Sequence, residues 1–366
     1  MENLILAIDT SCDETSAAVT SGRRVFSNVI SSQIALHQKY GGVYPALAKR
    51  AHLERIDYVL KEALKRAGLP STNHELPLAA IAVTQGPGLA IALEVGIAKA
   101  KQLAVELNRP LIAVNHLEGH IFSTLAQNKN GSPEREIVFP ALALLVSGGH
   151  TELVLMTEYG QYQVVGQTLD DAVGEALDKA ARILHLGYPG GPIIEALANQ
   201  TNNLPTAKES QNNPKFPFTP PLKERGNLNF SYSGLKTQFF YLVAQMTEEE
   251  LGDNLKELAA SFQEAAFEQL IRKTSDAIEI YHPQTLLCGG GVSANRYLRT
   301  LLRRLAREMK IPVYFPTSPK LTGDNAAMIG VAASNKLQRS EFADPEKLDR
   351  EPRLPLGGKV YSISPS

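Results

Sequence analysis

One order of elements occurs twice in the sequence, and this repeat constrains the fold more than any other feature. A strand, a polar or glycine-rich turn, two further strands and a helix follow one another. The first copy comprises Leu4–Asp9, Asp9–Glu14, Thr15–Thr20, Arg23–Ser31 and the amphipathic segment Pro45–Gly68. The second copy comprises Ala141–Val146, Ser147–His150, Thr151–Thr157, Gln161–Gln167 and Asp170–Leu186. Such a repeat predicts two related α/β lobes that face a cleft.

Further strands that alternate with helices complete both lobes. Strands are predicted at Ala79–Thr84, Leu111–Val114, Gln284–Cys288 and Val313–Phe315, and the helices that follow them at Ala90–Leu107, His116–Gln127, Ala294–Lys310 and Asn325–Lys336. This alternation indicates parallel strands with crossover helices. We predict an N-terminal lobe over residues 1–135, completed by 331–366, and a C-terminal lobe over 136–330. The polar stretch Asn199–Asn229 is predicted to be a loop-like insertion, and loops of that length often act as lids.

Two histidines four residues apart, His116 and His120, come directly after a predicted strand. On a helix this spacing leaves the side chains about 40° apart, close enough to share one metal ion. Open α/β sheets bind their ligands just beyond such strand ends. The stretch also resembles the zinc-protease helix motif, but Glu118 lies about 200° from His116 and points away. The pattern therefore predicts a metal site and argues against a zinc-protease mechanism.

A third metal ligand is harder to find from the residues alone. Asp324 precedes an apolar helix, where an aspartate most often serves as the N-cap. With His116 and His120 it would instead form a site with open positions, which suits Fe²⁺ or Zn²⁺. By composition alone, four other histidines are equal candidates as ligands: His37, His52, His150 and His185.

Four turns that follow predicted strands carry small residues able to cradle a phosphate. Glycines let backbone N–H groups converge on an anion, and a following helix adds partial positive charge. None of the four is a Walker loop or a GxGxxG fingerprint, and each alone is most often a simple turn. Together they suit a nucleotide held between two lobes, with Asp178 either in a solvated acidic face or accepting hydrogen bonds from a ribose. The turns are Asp9–Glu14, Gln85–Gly88, Ser147–His150 and Cys288–Asn295.

Composition limits the partners and the location of the protein. The net charge is −1, so RNA binding needs a local basic patch. One helical face offers such a patch or a merely solvated one. Two distant cysteines favour a reducing cytoplasm, and no signal peptide or membrane span is predicted. The basic face comprises Arg296, Arg299, Arg303, Arg307 and Lys310.

In combination these motifs are highly specific. The chain resembles, over nearly its full length, the bacterial TsaD-type proteins of tRNA threonylcarbamoyladenosine synthesis, once misnamed glycoproteases. The motifs in its N-terminal part are Asp9–Thr15, Gly86–Leu89, His116–His120 and Leu145–Thr151. Those further along are Asp178-Lys179, Tyr188–Pro192, Phe230–Thr237, Gly290–Asn295 and Gly323–Ala326.

The resemblance implies an actin-like, sugar-kinase-like (ribonuclease H-like) α/β fold with an internal duplication and an interlobe cleft. It implies transfer of a threonylcarbamoyl group from threonylcarbamoyl-AMP to the N6 amine of the adenosine just 3′ of the anticodon, in tRNAs that read codons beginning with A. It further implies a TsaB-type partner of related fold and a small TsaE-type ATPase partner.

By motif position, the resemblance also assigns the site residues. His116, His120 and Asp324 would hold one Fe²⁺ per subunit, with Zn²⁺ as the alternative. Ala46 and Glu195 depart from the family pattern, which commonly has glutamate and aspartate there, so a contact made by either position would be altered. The residues expected to bind substrate are Leu145, Val146, Ser147, Gly148, Gly149, Asp178, Gly191, Glu195 and Asn295.

The chemistry implied is acyl transfer to a weakly nucleophilic aromatic amine, with AMP as the leaving group. Activation of the carbamoyl group should therefore dominate, and Asp13 and Glu14 are the candidates for accepting the amine proton. Two alternatives remain open. One is an ATP-dependent sugar kinase or chaperone-like ATPase of the same fold, and the other is a non-catalytic scaffold.

Overall fold

A computed structural model describes residues 3–70, 76–201, 215–219 and 221–357. Its strands are β1 (Leu4–Asp9), β2 (Glu14–Ser21), β3 (Arg24–Ser32), β4 (Leu78–Gly86), β5 (Leu111–Asn115), β6 (Ala141–Val146), β7 (Thr151–Glu158), β8 (Gln161–Gln167), β9 (Thr285–Gly289) and β10 (Val313–Tyr314). Its α-helices are α1 (Ile34–His37), α2 (Pro45–Arg66), α3 (Ala90–Glu106), α4 (His116–Ser123), α5 (Val173–Ile183), α6 (Gly190–Ala198), α7 (Ser233–Ala244), α8 (Glu248–Tyr281), α9 (Arg296–Glu308) and α10 (Ala326–Gln338).

The first five-stranded sheet has the order β3-β2-β1-β4-β5. Strand β2 pairs antiparallel with β1 and β3, whereas β1, β4 and β5 run parallel. Successive residues of β1 point to opposite faces of the sheet, and the residues on both faces are apolar, so helices must cover both faces. Leu6 and Ile8 pack with α2 and α3 on one face, and Ile5 and Ala7 pack with α4 and α10 on the other.

The second five-stranded sheet repeats this arrangement in the order β10-β9-β6-β7-β8. Here β7 pairs antiparallel with β6 and β8, and β6, β9 and β10 run parallel. One face carries α5 to α9, while Ala143 and Leu145 on the other face join the core that contains α4 and α10. The predicted duplication is therefore present, and α4 and α10 lie between the two sheets.

Three helices of the second half were not predicted from the sequence: α6, α7 and α8. The longest, α8, has 34 residues and begins with a capping box in which Thr247 and Glu250 exchange hydrogen bonds. Its apolar face supplies Phe262 and Phe267 to the core of the second half. A capping box followed by spaced aromatic residues indicates a helix, so the sequence does carry a signal for α8.

Several predicted boundaries were wrong. The helix predicted over His116–Gln127 ends at Ser123, and the helix predicted from Ala294 is a one-turn 3₁₀ helix over Gly291–Ala294 followed by α9. Helix α5 begins at Val173 rather than Asp170, because the Asp170 carboxylate accepts hydrogen bonds from the backbone N–H groups of Tyr232 and Ser233.

The lobe boundary predicted at 330/331 falls inside α10, which packs against the first sheet along its length. We therefore propose that the chain returns to the first lobe before Ala326. Of the predicted insertion at 199–229, residues 202–214 and 220 lie outside the described residues. Of the helices that the structure describes, none is both long and apolar enough to cross a membrane.

Candidate metal centre and cleft

The four small-residue turns meet at one cavity of about 550 Å³ between the two sheets. Each turn leaves the carboxyl end of a strand, where the ends of parallel strands converge. The turns after β1 and β4 contribute from the first half of the chain, and the turns after β6 and β9 contribute from the second. The residues that line the cavity from these turns are Ser11–Glu14, Pro87–Leu89, Ser147–His150 and Gly291.

The two histidines project from α4, which starts directly after β5. The Asn115 side chain caps the helix by accepting hydrogen bonds from the backbone N–H groups of Leu117 and Glu118, at 2.8 and 3.4 Å. This cap fixes the first turn, and the four-residue spacing places both imidazoles on one side of the helix. Both side chains are buried, and His116 also lines the cavity.

Asp324 completes the group. Its Oδ1 atom lies 3.4 Å from Nε2 of His116 and 3.2 Å from Nε2 of His120. One ligand atom from each residue falls within 4.8 Å of the others. The competing interpretation of Asp324 as the N-cap of α10 was wrong, because the neighbouring Asn325 side chain accepts the hydrogen bond from the Met328 N–H at 3.1 Å.

The electrostatics of the group favour a cation. Burial alone would raise the pKa of Asp324, but the two imidazoles outweigh it and hold that pKa well below its usual value. Burial alone would lower the pKa of His116, whereas the Asp324 carboxylate raises it to about 8. For His120 burial prevails and lowers the pKa. A buried carboxylate beside two imidazoles is the donor set of an open divalent-metal site.

An unpaired ring atom supports this assignment. Although Nε2 of His120 lies 3.2 Å from Asp324, it makes no hydrogen bond with any described residue, nor does Nδ1 of the same ring. A buried polar atom without a partner costs about 1–3 kcal/mol. A metal ion held by both imidazoles and the carboxylate would remove that cost, so the residues present fit a metal.

Asp9 also lies at the site, although the sequence did not predict it as a site residue. Its carboxylate is completely buried at the end of β1, where Oδ1 accepts hydrogen bonds from the Thr84 hydroxyl at 2.7 Å and the Ser11 N–H at 3.1 Å. Its Oδ2 has no partner among the described residues. Burial raises the pKa of Asp9, and the charge of His116 lowers it. An aspartate that ends a buried strand at a candidate loop was the available signal.

Asp13 and Glu14, the predicted proton acceptors, both line the cavity. Glu14 Oε1 accepts a hydrogen bond from the Ser32 hydroxyl at 3.0 Å. Burial, followed by the charges of Asp13 and Asp324, raises the pKa of Glu14 well above its usual value. Such a carboxyl group binds a proton more tightly than an exposed glutamate does.

Only some of the residues predicted to bind substrate line the cavity. Ser147, Gly148, Gly149 and Asp178 line the cavity, and Asp178 also fixes the start of α6 through the N–H groups of Gly190 and Gly191. The others are not among the residues that line it: Leu145, Val146, Gly191, Glu195 and Asn295. Two of these hold the loop after β9 in place. Asn295 caps α9 and donates to Gln263, and Glu195 accepts a hydrogen bond from the Arg296 N–H at 2.8 Å.

The predicted basic face of α9 is exposed except at Arg299, which is half-buried. Arg299 donates hydrogen bonds to the backbone oxygens of Ser293 and Pro316, and its guanidinium lies 5.1 Å from the centre of the Phe315 ring. Arg303 lies over the same ring at 5.4 Å but is exposed, as is Arg307. Two members of the face therefore have structural contacts, and its use by RNA stays a prediction.

Comparison with known proteins identifies the family. Residues 24–331 match the family described as TsaD: tRNA N6-adenosine threonylcarbamoyltransferase. A protein of that name from Trichlorobacter lovleyi is 47% identical over 330 residues, which cover 90% of each chain. Another from Carboxydothermus hydrogenoformans is 43% identical over 362 residues, which cover 99% of this chain and 100% of the relative.

A solved structure confirms the predicted actin-like, two-lobed fold. Full-length HypF in a phosphate- and nucleotide-bound form aligns with a TM-score of 0.56 at 15% identity, over 93% of this chain and 47% of that chain. This likeness is one of fold alone, whereas the matches above extend through the metal-site and cleft motifs. The chain belongs to the tRNA N6-adenosine threonylcarbamoyltransferase family.

Proposed function

We propose that this protein transfers a threonylcarbamoyl group from threonylcarbamoyl-AMP to the N6 amine of the adenosine just 3′ of the anticodon, in tRNAs that read codons beginning with A. The observation that carries the proposal is the meeting of His116, His120 and Asp324 at a cavity lined by four strand-end turns. Family membership supports the transferase activity on tRNA, and the geometry supports a metal-dependent form of it.

The turn after β6 is suited to the phosphate of the adenylate. Its internal hydrogen bonds use the N–H groups of Ser147 and His150. Those of Gly148 and Gly149 therefore remain available, and a Cβ atom added at either glycine would meet no atom within 4 Å. Backbone N–H groups in such a turn stabilise a developing negative charge, here that of the departing AMP phosphate.

The three-residue group would hold one Fe²⁺ per subunit, with Zn²⁺ as the alternative. When bound, the metal supplies Lewis-acid polarisation of the threonylcarbamoyl oxygens. The protein residues do the rest: the Asp178 carboxylate faces the ribose, and Asp13 or Glu14 accepts the proton that the N6 amine loses. The raised pKa of Glu14 suits that role, because it brings proton affinity closer to the working pH.

The partners follow from the same proposal. We expect tRNA as the acceptor, a TsaB-type protein of related fold and a TsaE-type ATPase as the partner proteins, and no membrane. A tRNA substrate and the two free cysteines, Cys12 and Cys288, agree with a cytoplasmic location.

The test is a double variant, His116→Ala with His120→Ala, compared with His282→Asn. His282 is exposed and has a left-handed backbone (φ 47°) that asparagine tolerates. We expect the double variant to fold, to bind no metal and to leave tRNA unmodified, whereas the control does all that wild type does. Bound metal is measured by elemental analysis, and modification by nucleoside analysis after depletion and add-back.

Two outcomes would contradict the proposal at different points. Wild-type modification by the double variant would refute the metal assignment. Failure of wild-type protein, supplied with threonylcarbamoyl-AMP, tRNA and both partner proteins, to modify any tRNA would refute the function. ATP hydrolysis that survives loss of both histidines would instead favour the kinase-like alternative.

A further inference from the structure

Two tyrosines at the mouth of the cleft form an exposed aromatic pair that the transfer chemistry does not use. We propose that Tyr40 and Tyr44 are a stacking platform for an unpaired base of the RNA substrate, next to the adenosine that enters the cleft. This inference rests on the proposed function, since it assigns a place to the acceptor RNA.

The rings are already arranged for stacking. Their centroids lie 5.4 Å apart with planes inclined by 29°. Both side chains remain about half exposed, at 52% for Tyr40 and 51% for Tyr44. Bases in single-stranded loops are typically recognised by stacking on such side chains. Each base also adds a favourable contact whatever its identity, because every base has a π-face.

The segment that carries the pair is fixed to both halves of the molecule. Buried His37 contacts Gln33 Oε1 at 3.2 Å through Nε2 and accepts a hydrogen bond from the Tyr44 N–H at 3.3 Å through Nδ1. Across the cleft, Arg182 of α5 donates to the Gly41 carbonyl at 2.7 Å. A platform held in this way loses little conformational freedom when a base binds.

Position links the platform to the reaction. Gly41, Gly42 and Val43, the three residues between the tyrosines, line the same cavity as His116 and Asp324. An adenosine whose amine reaches the metal centre must leave the stack of its own loop, so its neighbouring base needs another surface. The tyrosines stand at the entrance where that base would be.

Charge favours an anionic partner such as RNA over a purely apolar one. The Lys39 ammonium lies 5.0 Å from the centre of the Tyr40 ring, and none of the ion pairs between described residues uses it. Arg182, at the same entrance, donates to the Gly41 carbonyl. Burial raises the pKa of Asp178 and the charge of Arg182 lowers it, without a direct ion pair between these two described residues. An aromatic pair flanked by two cations combines the two means by which proteins hold single-stranded RNA.

The test compares Tyr40→Ala with Tyr44→Ala, as a double variant, against two controls. Tyr40→Phe with Tyr44→Phe keeps the rings. Phe240→Ala with Tyr241→Ala removes another exposed pair, 5.7 Å apart on α7 and outside the cavity lining. The probe is an anticodon stem-loop RNA carrying 2-aminopurine beside the target adenosine, with Kd read at fixed salt and stacking read as fluorescence quenching.

We expect the alanine variant to bind the stem-loop roughly 5- to 150-fold more weakly, the range that loss of one stacked base gives. Quenching should disappear, KM for tRNA should rise and bound metal should stay unchanged, while both controls behave as wild type. Equal affinity and quenching in the alanine variant would overturn the platform. So would loss of partner-protein binding with RNA binding intact, because the pair would then be a protein contact. If wild type binds the stem-loop but transfers nothing, the proposed function fails, and the binding comparison still decides the platform.

Discussion

Substitutions of Glu118 test whether this residue acts at the metal, as the glutamate of a zinc-protease helix does, or only supports the fold. In a protease the glutamate would face the metal, whereas here Glu118 is 3% exposed and points to the rear of α4. Its Oε1 accepts a hydrogen bond from the Tyr162 hydroxyl at 2.8 Å, and its Oε2 lies 3.9 Å from Nζ of Lys336. The side chain therefore joins α4 to β8 and α10 and does not contact the cleft.

The expected effects on stability differ between two substitutions. Burial raises the pKa of Glu118, although Lys336 and Tyr162 lower it, so the ionised form carries a net burial cost. Glu118→Gln removes that cost and keeps an acceptor for Tyr162, and its free energy of unfolding should stay within about 1 kcal/mol of wild type. Glu118→Ala leaves the Tyr162 hydroxyl unpaired, which costs about 1–3 kcal/mol.

The cost of each substitution is measured as a change in the melting temperature, Tm. An unfolding entropy of about 2.1 cal/mol/K per residue, applied to 366 residues, converts the cost of the alanine variant to a Tm lower by roughly 1–4 °C. Adding Tyr162→Phe to Glu118→Ala should recover part of that loss. Metal content and tRNA modification should stay within about twofold of wild type for Glu118→Gln, because only groups that contact the reacting atoms act as acid or base. A folded Glu118→Gln variant that keeps its metal but loses transfer more than 100-fold would refute this reasoning.

Two further predictions concern pH and backbone geometry. Because the pKa of His116 is raised to about 8, its protonation stabilises the metal-free fold below about pH 6.5 and this is lost as pH rises through 8. Zn²⁺ affinity at pH 6.5 should accordingly be about 30-fold below its plateau at high pH, and a pH-independent Tm increase on adding Zn²⁺ would contradict this. Gly290→Ala should unfold the loop after β9, because φ is +91° and the new Cβ would lie 2.3 Å from the Val146 carbonyl oxygen. Gly291→Ala, with no atom within 4 Å of its Cβ, should keep the wild-type Tm.

The sequence predicted the sheets better than the helices of the second half. Continuous apolar runs such as Ala141–Val146 are buried along their whole length, so their pattern survives in any context. Helix α5 was predicted to begin three residues too early. Asp170 and Asp171 fit the start of a helix in the sequence, but their carboxylates contact residues outside the first turn of α5. Asp171 pairs with Lys179 at 2.6 Å and with Lys236 at 3.0 Å. Tertiary contacts of this kind leave no local signal.

Within the site, sequence spacing identified the residues that lie on one helix. It did not identify the residues that different elements bring together. The pair His116 and His120 follows from helix geometry, since both residues lie on α4. Asp324 lies more than 200 residues along the chain, so the family resemblance was needed to assign it as the third ligand. Asp9 was missed for a related reason, because its burial depends on Thr84 of a neighbouring strand. Sequence patterns do not state which strand ends converge.

The glycine of the His-Leu-Glu-Gly-His segment explains how Asp324 reaches the histidines. A Cβ atom on Gly119 would lie 2.9 Å from Cδ1 of Ile329 and 3.1 Å from Cγ of Met328, both on α10. Any larger residue would push α10 away from α4, and Asp324 immediately precedes the N-cap of α10. Its carboxylate comes within 3.2 Å of His120 only while the two helices remain in this contact. The segment therefore encodes two of the proposed ligands and also the helix spacing that supplies the third.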